Sequence, residues 1–392
     1  MARRFILGLI ACLYVVGSAL ADEDFGDGWL RLNRAKILEL FGEREADSRT
    51  KDYVGLNGNA IQFGRALFFD ARLSRSGNLS CASCHKPERF WTDGLQRALG
   101  PSSLNTPTLV GVHRLKWLFW DGRVIGLAHQ ATHPMNNPEE LDGDPLYLMG
   151  LFARTGEYRS RYITQFGELP IECQNKLGEE CQVKLAEFQL NVAKILGAFV
   201  ASIPSPQTPF DEFQRQLAQG VKPSNFTAQN LRGLQIFLER GRCATCHWGP
   251  DFTDGQFHNV LVPEPGTAGV FSAGRLAAIN EAIRTVKQYR QPSKFSEYAK
   301  SEISRLKVDS SMFGAFKTPT LRGLTCTAPY MHNGRYSTLE DVVEHYSSFT
   351  GILRPEHHND PLVEPRQFSD IDKKDLVSFL KTLSALGPDC NN

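Results

Sequence analysis

The chain has 392 residues, 41% of them hydrophobic and 22% charged, an ordinary globular composition with material for two or three domains at about 150 residues each. Its 44 basic and 43 acidic side chains nearly cancel, so neither a basic surface for nucleic acid nor an acidic solvated tail is expected. Function must then lie in particular side chains.

The first element is a targeting segment. Arg3 and Arg4 precede an apolar run that closes on Ala19-Leu20-Ala21, the pattern of a secretory signal cut after Ala21. As a membrane anchor the run is short, and Gly8 and Gly17 interrupt it. No later run could cross a bilayer. A periplasmic protein with no membrane span after signal cleavage is expected.

Next comes Cys81-Ala-Ser-Cys84-His85, which is repeated as Cys243-Ala-Thr-Cys246-His247. Two thiols three positions apart can add to the two vinyl groups of one porphyrin, and the following residue sets an imidazole under its iron. Chance would supply only about 0.005 such strings in this composition. A zinc site needs four ligands, and a redox dithiol needs no histidine after both copies. Two covalently bound haem c groups are therefore expected, with Cys81, Cys84, Cys243 and Cys246 attaching them and His85 and His247 as proximal ligands.

Between the motifs, Cys173 and Cys181 flank a short polar stretch and form either a small disulfide loop or two free thiols. Cys326 and Cys390 have no local partner, leaving buried packing or a long-range bridge. Leu185 to Ile203 has apolar residues at helical spacing, and the Pro/Ser-rich Ile203 to Pro209 reads as a linker. Ala228 to Leu238 is again helical, as is Ile371 to Leu386. Ser337 and Glu340 have the spacing of a capping box opening a helix through TLEDVVEHY. Strand-like alternation is scarce, whereas Lys86 to Val112 and Asn259 to Phe271 read as loops that wrap a haem. The expected fold is mainly α, with two haem-bearing segments joined by a short linker. The boundaries are 1–21 for the signal, 22–205 for the first domain and 206–392 for the second.

Several strings carry a closer likeness. LFFDARLSRSGNLSCASCHKP, NTPTL, FWDGR and TPTLRGLTCTAPYMHNG, with the two C-x-x-C-H motifs, resemble the bacterial di-haem cytochrome c peroxidase and MauG family from about Ile61 to Phe349. The resemblance implies two cytochrome c-like haem domains joined by the short linker, with peroxide chemistry at the N-terminal haem, electron exchange through the C-terminal haem, and a Ca²⁺ ion between them. QATHPMNNPEE resembles the family's catalytic loop. It implies Glu140 as acid/base, Gln130 as pocket donor and Pro134 as pocket lining. A carboxylate near the iron can take a proton from one peroxide oxygen and return it to the other, although on its residues alone NPEEL reads as an exposed acidic turn. Trp120 matches the tryptophan between the haems, and Asn105, Thr327 and Pro329 match calcium ligands. Gly323 stands where the family usually has Asn.

Two departures bear on the subtype. Residues 86–112 contain no histidine, so nothing in that loop would block the N-terminal iron, unless His113, His129 or His133 folds back. Fourteen residues after His332, where peroxidases have a methionine ligand, stands Tyr346. A hard oxygen donor favours ferric and higher states over ferrous iron. Met331, Met312 and His345 are the other candidates, or the position is open. The expected function is H₂O₂-dependent oxidation of a partner protein, as in MauG. The alternatives are a peroxidase drawing electrons from a small cytochrome c or cupredoxin, and a non-catalytic di-haem electron-transfer cytochrome.

Overall fold

The computed structural model describes residues 28–42, 58–99, 104–176, 178–288, 302–354 and 360–385. Residues 1–21, expected to be a signal, and Cys390 lie outside them. The chain is mainly helical, and its described strands are four two-residue pieces. β1 (Trp117–Leu118) pairs antiparallel with β2 (Val124–Ile125), and β3 (Phe257–His258) with β4 (Phe316–Lys317). Among the described residues no helix is long and apolar enough to cross a membrane.

The first core is drawn from residues 63–203. Its centre is α6 (Glu179–Ala201), whose buried stripe includes Phe188, Val192, Ile195 and Phe199. The helices α2 (Gly58–Phe68), α3 (Leu127–Asn136), α4 (Pro145–Arg154) and α5 (Gly156–Phe166) surround it. Cys173 and Cys181 are joined in a disulfide at the start of α6. The second core joins residues 210–383 to α1 (Gly28–Phe41). Here α8 (Ala228–Leu238) packs on α11 (Asp370–Lys381), with α7 (Pro209–Ala218) and α10 (Leu339–Ser348) alongside.

One packing device occurs in both halves. The helix that leads into each C-x-x-C-H motif carries a glycine where it crosses the last helix of its half. A Cβ at Gly64 would stand 2.3 Å from the Ile195 carbonyl oxygen, and one at Gly233 would stand 2.1 Å from that of Asp375. No side chain fits at either crossing, so backbone meets backbone. Between α6 and α9 (Arg275–Gln288) the chain changes cores near Ile203 to Phe210, where the Pro/Ser-rich stretch was expected to link them.

Three expectations are corrected. α1 lies before the first motif, yet its Phe41 stacks on Phe252 at 4.7 Å and meets Phe210 edge-on at 5.2 Å. Its apolar face finds its complement in the second core. The capping box of α10 is Thr338 with Asp341, one residue beyond the expected pair. The spacing holds, but the first turn begins at Leu339. α6 also starts earlier than the apolar spacing predicts, at Glu179, because Glu179 and Glu180 favour the positive end of a helix.

Candidate functional site

A large cavity of about 2430 Å³, counting its open mouths, runs between the halves and is lined by both His85 and His247. His85 Nδ1 pairs with the Trp91 carbonyl at 3.0 Å, and His247 Nδ1 with the Phe252 carbonyl at 2.9 Å. Fixing one ring nitrogen on a backbone oxygen is how metal-binding histidines set tautomer and orientation. Burial lowers the pKa of both imidazoles, which keeps them neutral. The four motif cysteines are free of disulfides, and burial pushes the Cys81 and Cys243 thiols up to about 12. Donor set, spacing and an adjoining cavity fit a covalently attached porphyrin at each motif.

Aromatic packing supports each anchoring carbonyl. Trp91 sits edge-on to Phe68 at 5.7 Å and to Phe199 at 5.9 Å. Phe252 is fully buried against Phe41, Phe210 and Phe237.

α10 turns Leu339, Val342, Val343 and Tyr346 into the cavity that His247 also lines. His345 is turned away, and both its ring nitrogens are occupied, Nδ1 by the Tyr336 hydroxyl at 2.9 Å and Nε2 by the Val260 carbonyl at 2.8 Å. Burial raises the Tyr346 phenol well above its ordinary pKa, and the nearby Cys243 and Cys246 add to the shift. Met331 lines the cavity as well, whereas Met312 does not.

On the His85 side the lining includes Gln130, Leu118, Phe119 and Leu127. His113, His129 and His133 are absent from it. Pro134 lies in the last turn of α3, outside the lining. Glu140 stands on the exposed turn that follows, where its carboxylate accepts from Asn137 Nδ2 at 2.8 Å. That turn shares a surface recess with Arg75, Ser76 and Leu79, the residues leading into Cys81. Gln130 and His85 thus line one cavity, while Glu140 lines a separate recess.

Trp120 lies where the halves meet. Its Nε1 donates to the Asn105 carbonyl at 2.8 Å, and its own carbonyl accepts from Lys317 N at 2.7 Å. Asn105 N donates to the His332 carbonyl at 2.7 Å, and Asn105, Thr327 and Pro329 all line the cavity. Arg275 donates to the Asp121 and Gly122 carbonyls at 3.0 and 3.2 Å, with its guanidinium 3.6 Å from the Phe257 ring centre. Arg114 pairs with Asp251 across the same seam.

Three features escape sequence reasoning. His332 is buried with its Nε2 unpartnered, stacked on Phe316 at 3.6 Å. Lys317 also lines the cavity, where burial pulls its ammonium down to about 8 against the opposing pull of Asp121. His258 bridges Asp254 Oδ2 at 3.1 Å and Asp360 Oδ2 at 2.7 Å, tying residues 360–366 to the second motif's loop. Apart from the i,i+4 pair of Asp254 and His258, these pairings have no local signal, because they join residues from separate segments. Cys326 is disulfide-bonded.

Comparison with known proteins agrees with this arrangement. Residues 58–219 match the family model described as di-haem cytochrome c peroxidase. The methylamine utilization protein MauG of Methylorubrum extorquens is 31% identical over 335 residues, covering 84% of this chain and 79% of that relative. The cytochrome-c peroxidase IdrP2 of Pseudomonas sp. (strain SCT) is 29% identical over 341 residues, covering 84% and 82%. Among solved structures, the diheme peroxidase BthA from Burkholderia thailandensis superposes with a TM-score of 0.61 at 22% identity, covering 85% of this chain and 87% of that one. That likeness speaks for the fold alone, but the relative sharing nearly a third of its residues across most of both chains goes further. This chain belongs to the di-haem cytochrome c peroxidase and MauG family of oxidoreductases.

Proposed function

We propose that this protein uses H₂O₂ to oxidise a partner protein, with peroxide reacting on the His85 side and electrons entering on the His247 side. The observation that carries this reading is the unequal lining of the cavity. Tyr346 faces the His247 side while neighbouring His345 has both ring nitrogens bonded elsewhere. Toward His85, no other histidine of the N-terminal half stands in the lining.

Haem c, when bound at His85, supplies the electrons that break the O–O bond. The chain's own groups move protons and position the substrate. The Gln130 amide is assigned to donate a hydrogen bond to bound peroxide. The Glu140 carboxylate takes the proton of the near oxygen and returns it to the departing one, so that water leaves. Its exposed turn lets it exchange protons with solvent between turnovers. Trp120, bonded to both halves, is the relay between them. With haem c bound at His247, Tyr346 is the side chain that would ligate its iron, and oxygen atoms of Asn105, Thr327 and Pro329 would hold Ca²⁺.

The reading is tested by mixing fully oxidised, never-reduced holoprotein with one equivalent of H₂O₂ in a stopped-flow spectrometer. An immediate and lasting optical change is expected. No change until an electron is supplied would overturn it in favour of a peroxidase that works from a half-reduced state with a small cytochrome or cupredoxin as donor. In Tyr346→Phe, the ferric spectrum of one haem only should change.

A further inference from the structure

Trp248 directly follows His247 and is 46% exposed. Indoles are usually covered by a fold, and exposed ones concentrate where proteins meet. This ring is held out by an ordered backbone. The Trp248 carbonyl accepts from Thr253 N at 2.9 Å, and Gly249 N donates to the Leu40 carbonyl at 3.0 Å. Gly249 has a φ of 72°, a left-handed turn that suits glycine. Among the described residues, the indole has no hydrogen bond and no ring partner.

The turn that carries Trp248 is also threaded to the seam between the halves. Thr253 Oγ1 donates to the Thr318 carbonyl at 2.7 Å. Lys317, next in the chain to Thr318, donates its N–H to the Trp120 carbonyl at 2.7 Å. Two tryptophans, one at the surface and one between the halves, are therefore the ends of a single run of covalent and hydrogen bonds. The surface end is one peptide bond from the proximal histidine of the electron-exchanging side.

We infer that Trp248 is the electron port of the C-terminal site, the residue through which a docked protein donor delivers electrons one at a time. The donor is a protein carrying a reduced metal centre or an oxidisable aromatic side chain close under its surface. In each transit the donor loses one electron and the C-terminal site gains it, the indole being the contact the electron tunnels across without itself changing oxidation state. Two transits meet the demand of one H₂O₂, which takes two electrons and two protons and leaves as two waters. This deepens the proposed function and rests on it for the direction of flow.

The test needs no peroxide, so its outcome is independent of the stopped-flow experiment above. Oxidised holoprotein is mixed anaerobically with excess reduced flavodoxin, a low-potential protein donor, and reduction of the C-terminal haem is followed at saturating flavodoxin. In W248F the limiting rate should fall at least about tenfold, a barrier higher by about 1.4 kcal/mol. W248Y, whose hydroxyl-tipped ring keeps a polar group and most of the bridging surface at the contact, should recover most of it. Reduction by dithionite, small enough to bypass a docking residue, should be the same in all three proteins. A W248F rate with flavodoxin within twofold of the parent overturns the port, as does an equal loss with dithionite, which would mark a merely structural role.

Discussion

The two halves of this protein attach their histidines in the same way and differ in almost everything that faces them. Each has a glycine-notched helix, a C-x-x-C-H turn, and a backbone carbonyl that fixes the histidine's Nδ1. Beyond that, the first presents Gln130 and an outer acidic turn, and the second presents Tyr346 on a packed helix. Even the residue after the histidine diverges, Lys86 in one and an exposed Trp248 in the other. The motif secures the cofactor, and the distal elements give each copy its task.

The largest expected break in that comparison is Glu140→Gln. It should slow the reaction with peroxide by about 10²–10⁴-fold, the range for one general acid–base group, and leave two haems attached per chain. An unchanged rate would remove Glu140 from the chemistry. Phe41→Ala should cost about 3–5 kcal/mol and fall on the second half, because Phe41 packs on the residue whose carbonyl holds His247. Hydrogen exchange should show α8 and α11 losing protection before α6. Equal loss in both would mean that the cores unfold as one unit.

Opening the Cys173–Cys181 disulfide by Cys173→Ser should cost about 2 kcal/mol, with the loss confined to the first half. Denaturant unfolding read at Trp91 and at Trp248 separately would show whether it spreads. The smallest effect concerns the His258 clasp. Hydrogen bonding to Asp254, with help from the Cys246 thiol and Asp360, raises the His258 pKa to about 11. A raised pKa stabilises fully below the ordinary histidine value and ceases to do so as pH climbs through the folded one. Haem attachment converts the thiol to a thioether and leaves the two carboxylates, so the loss begins at lower pH in the holoprotein. Exchange at Val363 should therefore quicken as the solution is made alkaline, and in His258→Gln it should be fast throughout. A pH-independent difference would show that charge is not what holds the clasp.

Much of this architecture is legible in the sequence, because its strongest signals are local. The C-x-x-C-H spacing, the apolar period of α8 and the four-residue geometry of capping boxes all lie within a few turns of chain. Ala228 to Leu238 is a helix over the expected residues. The misses are contacts between distant segments. The amphipathic pattern of α1 says that it packs but not on which core, and nothing near His258 points to Asp360. His345 and Tyr346 illustrate the limit most clearly. Both are sound ligand candidates by spacing, and only the placement of Tyr336 and Val260 shows that His345 is already bonded.

The placement of α1 also bears on how the chain matures. A polypeptide is made from its N-terminus, so Gly28–Phe41 is available early, yet its partners stand beyond the whole of the first core. The segment 63–203 can close on itself and take up its haem while α1 waits. Only when Phe210 and Phe252 have arrived can the first helix dock, which makes the earliest part of the protein the last to find its place. Such long-range closure is slow, and it makes the docking of α1 a natural checkpoint that the second half has been completed.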